Sequence, residues 1–171
     1  MQMLKQNKSL SAVVVCFAVT CQLFMVPDFS LAATVTGTAS AEIRQAIAVV
    51  QTSALNFGAI SALQSDTITI TPSGSISSQN GAKTEQGNAS SGHFNAGGNP
   101  NTNVIISFTG GSLTGAGTPM EINNLTHDSG ATPRFDGNGI LSFQVGADLV
   151  INNDQATGLY TGTYEVSVNY Q

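Results

Sequence analysis

His93 and His127 are the only two histidines of the 171-residue chain, and neither has a second ligand at metal-binding spacing. His127 adjoins Asp128 in a segment with turn chemistry, where both side chains are expected to face water. A catalytic dyad there would need a positioned nucleophile and an orienting group, and neither is nearby. Asp136-Gly137-Asn138-Gly139 resembles the opening of a calcium loop, but its Gly stands at the fourth position rather than the sixth and the closing Glu is missing. Asn138-Gly139 is better read as a hairpin turn between Arg134-Phe135 and Ile140–Val145. Gly110 to Gly117 has the glycine density of a phosphate loop without its Lys or the following helix, and reads as a flexible connection. The sequons at Asn88 and Asn124 are what a chain this rich in Asn, Ser and Thr contains by chance. These residues predict no enzyme, no cofactor and no metal, and a secreted hydrolase ranks last among the functions considered.

The elements that would carry any other function are strands. From Gly158 to Gln171 every second residue (Tyr160, Gly162, Tyr164, Val166, Val168, Tyr170) points one way in an extended chain. Thr161, Thr163, Glu165, Ser167 and Asn169 point the other way, so this is a strand with one dry face and one wet face. Thr67–Thr71, with Ile68 and Ile70 on one face, is a short strand ended by Pro72-Ser73-Gly74. Ser75–Ser91 is polar and is left open between a hairpin and an exposed loop. His93-Phe94 marks a brief strand, and Val104–Phe108 a central strand covered on both faces. Met120, Ile122 and Leu125 mark another, ended by Asp128-Ser129-Gly130. Ile140–Val145 and Leu149–Ile151 are read as two successive strands. About eight strands with no amphipathic helix predict an all-β, immunoglobulin-like β-sandwich.

The N-terminus reads as an export signal. Lys5 and Lys8 precede a mostly apolar run from Leu10 to Val26, then Pro27-Asp28 and Ser30-Leu31-Ala32-Ala33. Cleavage is expected after Ala32 or Ala33, giving a signal peptide over 1–32 and one domain over 33–171. The run falls short of the ~20 clean apolar residues of a membrane span, and Ala18-Val19-Thr20 before Cys21 lacks a lipoprotein pattern. Cys16 and Cys21 both fall in the removed segment, so the exported protein is expected to have no disulfide. Its net charge of −5 for the whole chain, with Arg44, Lys83 and Arg134 the only cations after residue 32, excludes a nucleic-acid face. No membrane span is expected after cleavage.

Several of these pieces resemble a known family. Ser40-Ala41-Glu42-Ile43, Leu55-Asn56-Phe57-Gly58, Thr67–Gly74 and Gly158–Tyr170 are similar to the secreted bacterial domain of unknown function 4402, related to spore coat protein U. The terminal Gly158 and the penultimate Tyr170 also resemble the C-terminal signature of chaperone–usher pilins. That resemblance implies a pilin- or adhesin-type sandwich whose last strand flanks a groove left by a missing strand. A periplasmic chaperone, an outer-membrane usher and other copies or related subunits are the partners it implies, with passage through the periplasm to the cell surface. Related coat proteins often carry disulfides, from which this chain departs. Val35, Gly37, Ala39 and Ala41 alternate with polar residues and have two readings, a first strand of the domain itself or a donor strand for a neighbour's groove. The function expected is a structural subunit of a surface fibre or coat, assembled by strand complementation. The alternative is a self-complete β-sandwich acting as an adhesin or binding module, with the 75–98 loops as its contact surface.

Overall fold

Alternation of apolar and polar residues governs the backbone through most of the chain. The computed structural model describes residues 33–62, 64–84 and 88–171, and contains no α-helix among them. The expected signal peptide, with Cys16 and Cys21, lies outside the described residues. The strands are β1 (Ala48–Ser53), β2 (Asn56–Phe57), β3 (Ile60–Ser61), β4 (Asp66–Ile70), β5 (Ile76–Ser78), β6 (Lys83–Thr84), β7 (Ala89–Ser90), β8 (Gly92–Gly97), β9 (Val104–Thr114), β10 (Met120–His127), β11 (Ile140–Ile151) and β12 (Thr161–Tyr170). Eight of them form one antiparallel sheet, in the order β1-β8-β11-β10-β9-β12, with β4 attached to β11 and β5 to β4. Its curl brings it close to a barrel. The short pairs β2–β7 and β3–β6 stand apart from it. All of this belongs to the unit Ala41–Gln171; residues 33–40 fall in a separate N-terminal unit and form no strand.

β11 is the spine. It runs unbroken through Gly146, so Ile140–Val145 and Leu149–Ile151 are one strand rather than the two expected. One of its edges bonds β8 as far as Val145 and β4 from Ala147 onward. At the changeover a Cβ on Gly146 would run into the Ile70 carbonyl and approach the Pro72 nitrogen at 2.6 Å. Glycine is required where the β4 backbone passes this closely.

Two β-bulges divide the inner face into two cores. On β9, Gly110 and Gly111 oppose the single residue Tyr164 of β12; on β10, Asn124 and Leu125 oppose Ala147 of β11. An extra residue shifts the alternation by one. Val104, Ile106 and Phe108 therefore point inward before the β9 bulge, and Leu113 after it; Met120 and Ile122 point inward before the β10 bulge, and Leu125 and His127 after it. Asn124 absorbs the bend in the left-handed region at φ 49°. One core gathers Phe57, Ile68, Ile70, Met120, Ile122, Leu149 and Ile151. The other gathers Phe94, Val104, Ile106, Phe135, Phe143, Val145 and Val168. Leu125 packs against both.

The same bulges correct two expectations. Gly110–Thr114 is strand, not loop, because β9 continues past its bulge. Val104–Phe108 is covered on one face only: Ile105, on the outer side of the sheet, is 50% exposed among the described residues. At Asn138-Gly139 the turn forms, with Asp136 Oδ1 accepting the Asn138 and Ile140 amides at 2.9 and 2.7 Å. It is not flanked by a full hairpin, because Arg134 bridges to Asn103 instead of pairing with β11.

Asp66 ties down the segment after β5. Its carboxylate accepts the amides of Thr67 (2.7 Å), Gln79 (3.0 Å), Asn80 (2.8 Å) and Ala82 (2.7 Å) and the Ser78 hydroxyl (3.1 Å). Burial alone would raise its pKa, but the Ala82, Asn80 and Thr67 amides and the Ser78 hydroxyl outweigh that and hold it below the usual carboxylate value.

Two predictions follow from this architecture. Gly111→Ala places a Cβ against the Thr163 carbonyl and is expected to cost about 2 kcal/mol or more in urea unfolding. Gly137→Ala, which meets open space, should stay within about 0.5 kcal/mol. For Asp66, a folded pKa below the unfolded one means stabilisation present above the ordinary value of about 3.9 and lost as pH falls through the folded value. Asp66→Asn should cost about 1–3 kcal/mol at neutral pH and flatten the acid limb of a stability–pH profile; an unchanged acid limb would remove Asp66 from the account.

Candidate assembly site at the terminal strand

The dry face expected of the C-terminal segment is present from Tyr164 to Tyr170. Cross-strand pairing sets Val166 opposite Phe108, Val168 opposite Ile106 and Tyr170 opposite Val104, all turned to the second core. Val168 is buried, while Tyr164, Val166 and Tyr170 are half-buried. The earlier residues of the segment do other work. Gly158 lies in the turn before β12 at φ 151°, a backbone shape that favours glycine. Tyr160 packs on the first core, its hydroxyl accepting from Gln155 Nε2 and donating to the Ala156 carbonyl, both at 2.8 Å. Gly162 sits opposite Leu113, pressed against the Ser112 carbonyl.

β12 is hydrogen-bonded along one edge. Its ladder to β9 runs from Thr161↔Thr114 to Tyr170↔Val104, and among the described residues no strand pairs with its other edge. β1, at the opposite end of the sheet order, is likewise bonded only to β8. The curl brings these two free edges within side-chain reach. The Tyr170 hydroxyl donates to the Gln45 carbonyl just before β1 (2.6 Å) and accepts the Asn99 amide (2.8 Å). Its ring meets Phe135 edge-on at 6.1 Å and lies 5.6 Å beneath the Arg44 guanidinium. Tyr164 reaches over β8, with its ring 6.3 Å from Phe94 and its hydroxyl lodged where Gly92 has no Cβ. Gly98 leaves equivalent room for the Tyr170 hydroxyl.

The two phenols differ in how they are satisfied. The Tyr164 hydroxyl is buried without a hydrogen-bond partner among the described residues. Burial pushes its pKa up, while the neighbouring Gln51 side chain, short of hydrogen-bond geometry, acts in the opposite sense. The seam between β1 and β12 is thus spanned by side chains, with no backbone ladder.

The candidate donor residues are not in strands. Val35, Gly37 and Ala39 lie in the N-terminal unit and Ala41 opens the main one; Val35 is 96% exposed. The reading of this segment as a first strand of the domain is therefore corrected, and β1 takes that place. The partners of the terminal strand, Gln45, Gln51, Gly92, Gly98 and Asn99, carry no local signal that sets them apart, since each is brought to the seam from far along the chain.

The residues weighed for chemistry are dispersed. His127 is half-buried rather than turned fully to water, lying against Phe108 at 5.9 Å and Phe143 at 6.4 Å, because the β10 bulge turns it to the core side. Its Nδ1 accepts the Ser129 amide, whereas Asp128 accepts the Gln144 amide, so the two do not form a dyad. His93 pairs weakly with Ser91 at 3.4 Å. No group of three or more metal-ligating side chains comes together among the described residues, and no helix there is long and apolar enough to cross a membrane.

Tyr170→Phe is expected to cost about 1 kcal/mol, because it removes the hydroxyl's bonds to the exposed Gln45 carbonyl and the half-buried Asn99 amide. Tyr164→Phe should be neutral within about 0.5 kcal/mol or stabilising, since it removes an unpartnered hydroxyl. Equilibrium unfolding of the two variants checks the order, and its reversal would contradict the bonding described.

No curated protein and no solved structure matches this chain. A protein family does match, over residues 47–170, from the residue before β1 to the end of β12. The chain belongs to the family described as Domain of unknown function (DUF4402).

Proposed function

We propose that this protein is an exported structural subunit that assembles into a surface fibre or coat by taking a strand from a partner into the seam between β1 and β12. The observation that carries the reading is the single-sided ladder of β12: its apolar face belongs to the core while its outer backbone edge pairs with nothing among the described residues. Unpaired edges recruit strands, through main-chain hydrogen bonds for affinity and alternate side-chain pockets for specificity. β1 and β12 run antiparallel, since five antiparallel pairings separate them, so a strand entering between them lies parallel to one and antiparallel to the other. On this reading the curled sheet is a pilin- or adhesin-type, immunoglobulin-like sandwich lacking one strand, akin to spore coat protein U and chaperone–usher pilins. Residues 34–41 of a neighbour fill the seam, a chaperone holds it beforehand and an usher exports the product. The N-terminal 32 residues serve as the signal for entry into the periplasm.

A second reading is favoured by the tyrosines. Tyr164 and Tyr170 already span the seam, which suits a self-complete extracellular domain used for adhesion or binding. The two separate experimentally. Residues 33–171 are purified and mixed with a synthetic peptide of residues 33–43. Under the assembly reading the peptide raises Tm by about 5 °C or more at saturation, and deletion of 34–41 abolishes polymers while leaving the monomer folded. A monomer of high thermal stability that ignores the peptide and forms no fibres overturns assembly and leaves the self-complete domain.

A further inference from the structure

Cations are scarce after residue 32, yet two of the three, Arg44 and Arg134, line the same open cleft of about 370 Å³. Asn101, Thr102, Asn103 and Gln171 complete its lining. The backbone beneath is fixed. Arg134 bridges to Asn103, with flanking bonds from the Val104 amide to the Pro133 carbonyl (2.9 Å) and from the Phe135 amide to the Thr102 carbonyl (3.0 Å). The Gln171 amide adds a bond to the Asn103 carbonyl at 3.2 Å. Arg44 precedes the residue that Tyr170 grips and stacks over the Tyr170 ring.

The side chains on this frame are largely uncommitted. Arg134 has no carboxylate within 4.0 Å among the described residues. Arg44 meets Glu42 at 3.2 Å, but both groups are open to solvent, at 39% and 69% exposure, so the pair is weak and exchangeable. Neither Asn101 nor Asn103 makes a side-chain hydrogen bond among the described residues, and the Thr102 hydroxyl, which donates to the Pro100 carbonyl, keeps acceptor capacity. Both arginines line this one cleft in a chain of net charge −5.

We propose that this cleft binds the carboxylate of an acidic saccharide. The planar guanidinium forks match a carboxylate in bidentate fashion. The two amides and the hydroxyl offer donors and acceptors to the ring hydroxyls of a sugar, and the lining offers no apolar side chain to an oily ligand. The cleft lies at the end of the seam, but the proposal does not rest on the strand-assembly reading.

The test uses the folded protein of residues 33–171 with D-glucuronate, D-glucose, acetate and inorganic phosphate as probes, read by calorimetry and by the arginine Nε–Hε NMR signals. Glucuronate is expected to shift both arginine signals and to bind at least about tenfold more tightly than acetate. Glucose should leave the signals unmoved, and added NaCl should weaken the binding. Arg134→Gln and Arg44→Gln, each checked for an unchanged circular dichroism spectrum, should each weaken glucuronate by about tenfold or more. Acetate equal to glucuronate, phosphate tighter than glucuronate, or binding indifferent to both substitutions would overturn the proposal.

Discussion

A single edge of β11 serves β8 and then β4, and the rest of the structure follows from that division. At Gly146 the two partners part, and a side chain there would collide with the incoming β4 backbone. β4 and β5 then cover one apolar cluster, while β8 and β1 cover the other. The bulges on β9 and β10 let each of those strands point apolar residues into both clusters, because an extra residue exchanges the two faces of a strand. Without those phase changes, either Phe108 and Ile106 or Leu113 would face solvent.

Curl without closure leaves two edges facing each other. A closed barrel would remove them, but here β1 and β12 approach only through side chains. All three tyrosines of the chain lie in or just before the last strand. One closes the turn preceding β12 and the other two span the seam. An aromatic ring with a polar tip suits that position: its body joins the core while its hydroxyl reaches the backbone of the opposite edge. Tyr170 completes that connection through Gln45 and Asn99, whereas the Tyr164 hydroxyl has no partner among the described residues. The seam is therefore held by hydrogen bonds at the Tyr170 end and by packing alone at Tyr164.

The scarcity of charge gives the few charged groups distinct roles. Asp66 is surrounded by amide donors that stabilise its ionised form and thereby shape the chain after β5. Arg44 and Arg134 are mounted at the end of the seam on the same bonds that fix Tyr170 and Asn103.

The all-β class, the turns at Pro72–Gly74 and Asp136–Gly139, and the dry face of Tyr164–Tyr170 were legible from the chain alone, because alternation and turn chemistry are local properties. β9 and β11 were less legible. A glycine pair inside β9 looks like a loop, and Gly146 looks like a break in β11, until a neighbouring backbone is seen to need the space. His127 was misplaced for a similar reason, since its direction depends on a bulge two residues earlier that exists only through pairing with β11. Which edge of β12 is bonded, which residues receive its tyrosines, and which two arginines share a cleft are matters of long-range contact. By itself the sequence determined that Tyr164–Tyr170 would form a half-buried strand; only the tertiary structure decided that one of its edges pairs with no strand among the described residues, because hydrogen-bond partners come from strands distant in the chain and leave no periodic mark on it.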